Sequence, residues 1–156
     1  MTTFFGFISN LIFFLLKENV KEYIIKDLYR YSKWNSTLKD KNVYYKLRRI
    51  HTNDLSFRSV FAYRCRNQGK LISLLQFVNS RINPILKTIE IGQRGTILGG
   101  FFISHNNSVI SPLSAGENFR VGPGVVIGRV GNFQPTIGNN VYIANIVKCR
   151  ASNAGK

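Results

Sequence analysis

Two side chains of this chain can exchange a proton near neutral pH, His51 and His105. His105 stands in the run Phe102-Ile103-Ser104-His105-Asn106-Asn107. Its neighbours are polar and turn-forming, and it comes two residues after the apolar Ile103, so it belongs at a corner and points outward. An imidazole so placed can take or give a proton as a general acid or base, although a lone histidine on a polar turn is also an ordinary surface residue. His51 has no partner residue near it in a basic helical region and reads as a surface residue. Cys65 and Cys149 form neither a C-x-x-C pair nor a Cys/His cluster with metal-ligand spacing. Two cysteines cannot build a disulfide framework, so the expectation is a reduced compartment, no structural zinc and no metal cofactor.

The elements that would hold His105 announce themselves by a period. Ile91, Ile97, Ile103, Val109, Ala115, Val121 and Ile127 recur at every sixth residue, and the step resumes at Ile137 and Ile143. Gly92, Gly116, Gly122, Gly128 and Gly138 come directly after several of them. Six is neither a helical nor a simple strand period; it is one of the repeat signatures of a parallel β-helix, in which three units make a coil of about 18 residues. The aliphatic residue then faces the interior, and glycine allows positive φ or close backbone approach at the corner. An insertion from Arg129 to Thr136 interrupts the repeat.

Before Pro84 the pattern is helical. Phe4 to Leu16 is apolar but broken by Gly6, Ser9 and Asn10, and it is short of the roughly 20 residues of a spanning helix. Lys17 is the first basic residue, which does not suit a signal peptide. Phe13, Leu16, Val20, Ile24, Leu28 and Tyr31 form one apolar helical stripe. That stripe is expected to pack on the rest of the protein or on another subunit, with an interfacial membrane helix as the alternative. A helix capped by Thr52 or Asn53 should run to Gly69, and Leu71, Leu74, Leu75 and Val78 should make a further short helix. The organisation expected is a helical region over 1–84, a parallel β-helix over 85–147 and an irregular, truncated-looking tail over 148–156.

Residues 89–143 resemble the left-handed β-helix of the serine O-acetyltransferases and their relatives in polysaccharide synthesis. The resemblance is carried by I-E-I at Ile89, G-G-F-F-I-S-H ending at His105, V-G-P-G-V-V-I-G from Val121, and P-T-I-G-N-N-V-Y-I from Pro135. Asp54 to Arg66 is similar to the helix that precedes the repeat in shorter members. The resemblance implies transfer of an acetyl group from acetyl-CoA to a hydroxyl, with His105 as general base. It implies that Gly128, Arg129 and Gly131 lie against CoA, and that Ser104 and Gln134 touch the acceptor. It also implies a homotrimer whose sites lie between subunits. Ser104 stands where serine-specific members carry Asp, and Gln134 where they carry a second histidine. The pattern therefore points to acetyl transfer more than to free serine as acceptor, with a sugar hydroxyl as the other candidate. A degenerate β-helix acting as a noncatalytic assembly or binding subunit is the rival reading.

Charge adds one further alternative. Of 156 residues, 22 are Lys or Arg and 7 are Asp or Glu, a net charge of +15. The excess is spread along the chain, and no basic run exceeds Arg48-Arg49. A solvated basic surface in a cytoplasmic protein is the expectation, nucleic acid is not expected as a partner, and peripheral contact with an anionic membrane through the N-terminal helix is the remaining option.

Overall fold

The computed structural model describes residues 6–33, 35–129 and 133–145, and the backbone of 148–150. Five α-helices come first: α1 (Phe7–Leu15), α2 (Glu18–Ser32), α3 (Val43–Asn53), α4 (Leu55–Cys65) and α5 (Lys70–Ile82), with a 3-10 turn at Ser36–Leu38. The apolar stripe spans two of them, because Leu16 and Lys17 are extended, with ψ 156° and 149°. Phe13, Leu16, Val20, Ile24 and Leu28 are all buried with Leu47, Ile50, Phe57 and Phe61 in one core. Asn42 caps α3 by accepting from the Tyr45 N–H at 2.9 Å, and Asp54 caps α4 by accepting from the Phe57 N–H at 2.9 Å. The cap of α4 is thus Asp54 and not Thr52 or Asn53. Phe7 and Phe14 on α1, and Leu71, Leu74 and Phe77 on α5, remain exposed. Among the described residues no helix is long and apolar enough to cross a membrane.

Ten strands complete the described chain: β1 (Ile89–Ile91), β2 (Thr96–Ile97), β3 (Phe102–Ile103), β4 (Ser108–Ile110), β5 (Ser114–Ala115), β6 (Arg120–Val121), β7 (Val126–Gly128), β8 (Thr136–Ile137), β9 (Tyr142–Ile143) and β10 (Lys148–Arg150). They pair only in parallel, in three separate sheets ordered β1-β4-β7-β10, β2-β5-β8 and β3-β6-β9. This corrects the expected fold class. Five helices precede three small sheets whose strands are two or three residues long, and no continuous left-handed β-helix is evident.

The register supplies the physical reason. Ile97, Ile103, Ala115, Val121 and Ile127 are buried as the period requires, but Val109 is only half-buried and Ile110 takes the interior place. Ile91 pairs with Ile110, and Ile110 with Ile127. The step from interior Ile103 to interior Ile110 is therefore seven residues, and that from Ile110 to Ala115 is five. Successive strand residues face opposite sides, so this one-residue shift turns Val109 outward beside Glu90 and Val126. Corners are sharpened by left-handed backbone at Gly100 (φ 82°), Asn118 (φ 59°) and Asn140 (φ 57°), a region that Gly and Asn tolerate best. Asn118 donates to Asn140 Oδ1 at 3.0 Å, which stacks one corner on the next. At Gly116 a Cβ would sit 2.7 Å from the Asn139 backbone nitrogen, so close approach demands glycine there.

The helices close the exposed edge of the sheets. Strands β2 and β3 are edge strands with unpaired backbone groups. Asp27 is fully buried and accepts from the Phe101 N–H at 2.7 Å. Tyr31 Oη accepts from the Ile103 N–H at 3.1 Å, and Tyr63 Oη from the Ile97 N–H at 3.0 Å. Ser56 donates to the Ile103 carbonyl at 2.8 Å, and Arg64 donates to the carbonyls of Ile97 and Leu98. Arg64 also holds Asp27 through two hydrogen bonds, of 2.8 and 3.1 Å. Burial pushes the Asp27 carboxyl pKa up, while Arg64 and the amides of Phe101 and Gly100 pull against it. Removing one member of such a pair leaves an uncompensated buried group. Arg64→Met is expected to cost about 3–5 kcal/mol in urea unfolding. A loss below about 1 kcal/mol would show that the sheet edge does not depend on this pair.

Candidate functional site

His105 lies in the four-residue corner between β3 and β4, residues 104–107, and is exposed. Two devices place it. Tyr31 and Ser56 grip the backbone of Ile103 from the helical side, and Asn107, with φ 65°, turns the chain into β4. The imidazole makes no hydrogen bond to another described residue, so no described residue holds it in one orientation. Ser104 is half-buried, and its hydroxyl donates to the Val121 carbonyl at 3.0 Å. That proton is committed to the neighbouring strand, and the oxygen keeps only accepting capacity toward a ligand.

The other expected residues stand elsewhere. Gly128 ends β7, and a Cβ on it would meet no atom within 4 Å. Arg129 comes next and is exposed. Gln134 is half-buried, and its side-chain nitrogen approaches the Ser111 carbonyl at 3.4 Å and the Ser111 hydroxyl at 3.5 Å. Gly131 lies outside the described residues. Gly128, Arg129 and Gln134 therefore share the corner between β7 and β8, whereas Ser104 and His105 occupy the corner between β3 and β4. One chain brings together each set, but not the two sets. Among the described residues no group of three or more His, Cys, Asp or Glu is placed to hold a metal ion.

Two clefts hold none of these residues. One of about 210 Å³ is lined by Tyr31, Asn35, Arg49, Asn53 and Asp54 among others. Another, of about 310 Å³, is lined by Tyr63 on α4, Arg66 just after it, and Ile89, Glu90, Ile91 and Gln93. A third and smaller one, between Arg30, Lys33, Phe102 and Arg120, gave no sign in the sequence, since Arg30 and Arg120 are ninety residues apart and line one cleft only once α2 packs against β3.

His51 corrects the surface reading. It is 1% exposed, edge-on to the ring of Phe61 at 5.1 Å. Its Nε2 faces the Asn79 amide at 3.2 Å, while Nδ1 is buried without a partner. Helical spacing could have found it: Leu47, Ile50 and His51 fall on one face of α3 and are all buried. Burial, aided by the Arg58 charge, lowers its pKa from 6.5 to about 3. Cys65 is likewise buried, and burial pushes its thiol up and keeps it protonated and unreactive. The neutral His51 contributes stability that is complete above about pH 6.5 and is lost as pH falls toward 3, at up to about 1.4 kcal/mol per pH unit. Urea midpoints measured between neutral and mildly acidic pH should fall more steeply for the wild type than for His51→Gln. Equal slopes would mean that His51 is not held neutral by the fold.

Comparison with protein-family models, with curated proteins and with solved structures finds no match to this chain, so the geometry of its two corners and its clefts stands as the basis for any functional reading.

Proposed function

We propose that this protein transfers an acetyl group from acetyl-CoA to a hydroxyl, with His105 as general base. The observation that carries the reading is the exposed, unengaged imidazole at the corner between β3 and β4, in the run Ile103-Ser104-His105-Asn106-Asn107. In this reaction a ring nitrogen of His105 takes the hydroxyl proton as the acceptor oxygen attacks the thioester carbonyl carbon. The C–S bond then breaks, the acetyl group stays on the acceptor oxygen, and the proton passes to the departing sulfur. The open space over Gly128 supports approach of the pantetheine arm there, and Arg129 beside it suits the CoA phosphates. Acceptors are serine or a sugar hydroxyl, with Ser104 as an acceptor-side contact and Gln134 as its counterpart from the other corner.

Because the two corners of one chain do not meet, a site that uses both is built between copies, and a homotrimer is the assembly that fits the resemblance. The second reading, a noncatalytic binding or assembly subunit, is favoured by one observation: no described residue orients His105.

His105→Ala should lower acetyl-CoA turnover by about 10²–10⁴-fold while leaving the melting temperature unchanged, since the side chain is exposed. Unchanged turnover would remove His105 from the mechanism. A binding-competent donor site should also raise stability by about 2.7 kcal/mol at acetyl-CoA a hundredfold above its Kd. Absence of any thermal shift at saturating acetyl-CoA would establish the noncatalytic reading instead.

A further inference from the structure

The small cleft where α2 meets the sheets has an unusual lining. Arg30 in the last turn of α2, Lys33 just beyond it, Phe102 on β3 and Arg120 on β6 enclose about 110 Å³. Three of the four described lining residues are cations, and no carboxylate is among those described. Arg30 and Lys33 have an ordinary explanation, because cations near a helix C-terminus complement its partial negative charge.

Arg120 does not share that explanation. It comes from a strand, in register with Phe102 on one side and Tyr142 on the other. Its guanidinium lies over both rings, 5.4 Å from the Phe102 centroid and 4.5 Å from that of Tyr142. The rings fix its plane without using its N–H groups, and Nε is buried with no hydrogen-bond partner. A buried donor left unsatisfied is costly, more so when charged, and gathering like charges adds to that cost. An anion in the cleft relieves the like-charge cost and can accept from the terminal N–H groups of Arg120.

We infer that this cleft binds a phosphate monoester, through Arg120 and Arg30 with Lys33 at its mouth. The volume holds about three or four waters at ~30 Å³ each and is far below the roughly 300 Å³ of the smallest drug-sized pockets. It therefore takes one compact polyatomic group, with the rest of the ligand outside. A phosphate monoester carries close to two negative charges at neutral pH and three acceptor oxygens, and it meets a planar guanidinium in a bidentate fashion. A carboxylate brings half the charge and fewer acceptors to three cations. The ester can belong to a soluble metabolite or to a lipid headgroup, and the cleft reads only the phosphate.

The test is titration calorimetry of the full chain with inorganic phosphate, beside Arg120→Gln, Arg30→Gln and, as a control, Arg81→Gln. Saturable binding is expected for the wild type and the control, with affinity about tenfold lower or worse in each of the other two variants. Arg30→Gln guards against misfolding of Arg120→Gln, because Arg30 is half-exposed on a different element. Flotation with vesicles of phosphatidylcholine, with and without phosphatidic acid, separates the sources. Arg120-dependent capture by phosphatidic acid identifies a lipid headgroup, and phosphate binding without capture identifies a soluble ester. Absence of saturable phosphate binding, or wild-type affinity in Arg120→Gln and Arg30→Gln, would overturn the site.

Discussion

Everything on the sheet side of this protein rests on how the first strands of its small sheets end. A parallel ladder always leaves one edge with backbone groups that have no strand to pair with, and burying them unpaired is costly. Here a set of helical side chains replaces the missing strand. Asp27, Tyr31 and Tyr63 accept from Phe101, Ile103 and Ile97, while Ser56 and Arg64 donate to the carbonyls of Ile103, Ile97 and Leu98. The Asp27–Arg64 pair is the centre of this set, since each member serves the other and the sheet edge at once. The two apolar cores are consequently not independent: Tyr31 packs against both, and Val60 of α4 lies within the core of the sheets.

The same constraint reaches the candidate site. Tyr31 and Ser56 hold Ile103 immediately before Ser104 and His105, so helix α2 and helix α4 set where the His105 corner begins. The step from Ile103 to Ile110 is one residue longer than the six-residue period, and the extra residue moves Ile110 inward and Val109 outward.

Electrostatically the molecule separates two uses of arginine. Arg64 is buried and paired, with hydrogen bonds to Asp27 and to backbone carbonyls. Arg120 is stacked between rings, and its Nε is left without an acceptor. The first is structural satisfaction of a buried edge. The second is a fixed cation beside two others, which is the arrangement that takes an anion from solution.

Reading the residues alone located the inward aliphatic positions at Ile97, Ile103, Ala115, Val121 and Ile127, the buried stripe from Phe13 to Leu28, and the corner at His105. These were legible because they depend on period and on local turn chemistry, which any stretch of chain displays. The period did not reveal the slip at Val109, since a seven-residue step to Ile110 and then a five-residue step restore the count at Ala115 and hide the shift. The burial of His51 was legible in a different spacing, since Leu47, Ile50 and His51 share one face of α3, while the rings and amides that cover it come from α4 and α5. The three-sheet arrangement, the Asp27–Arg64 pair and the cations around Arg120 were decided by tertiary structure alone, because each depends on charges and backbone groups far apart in the chain whose meeting no local spacing encodes.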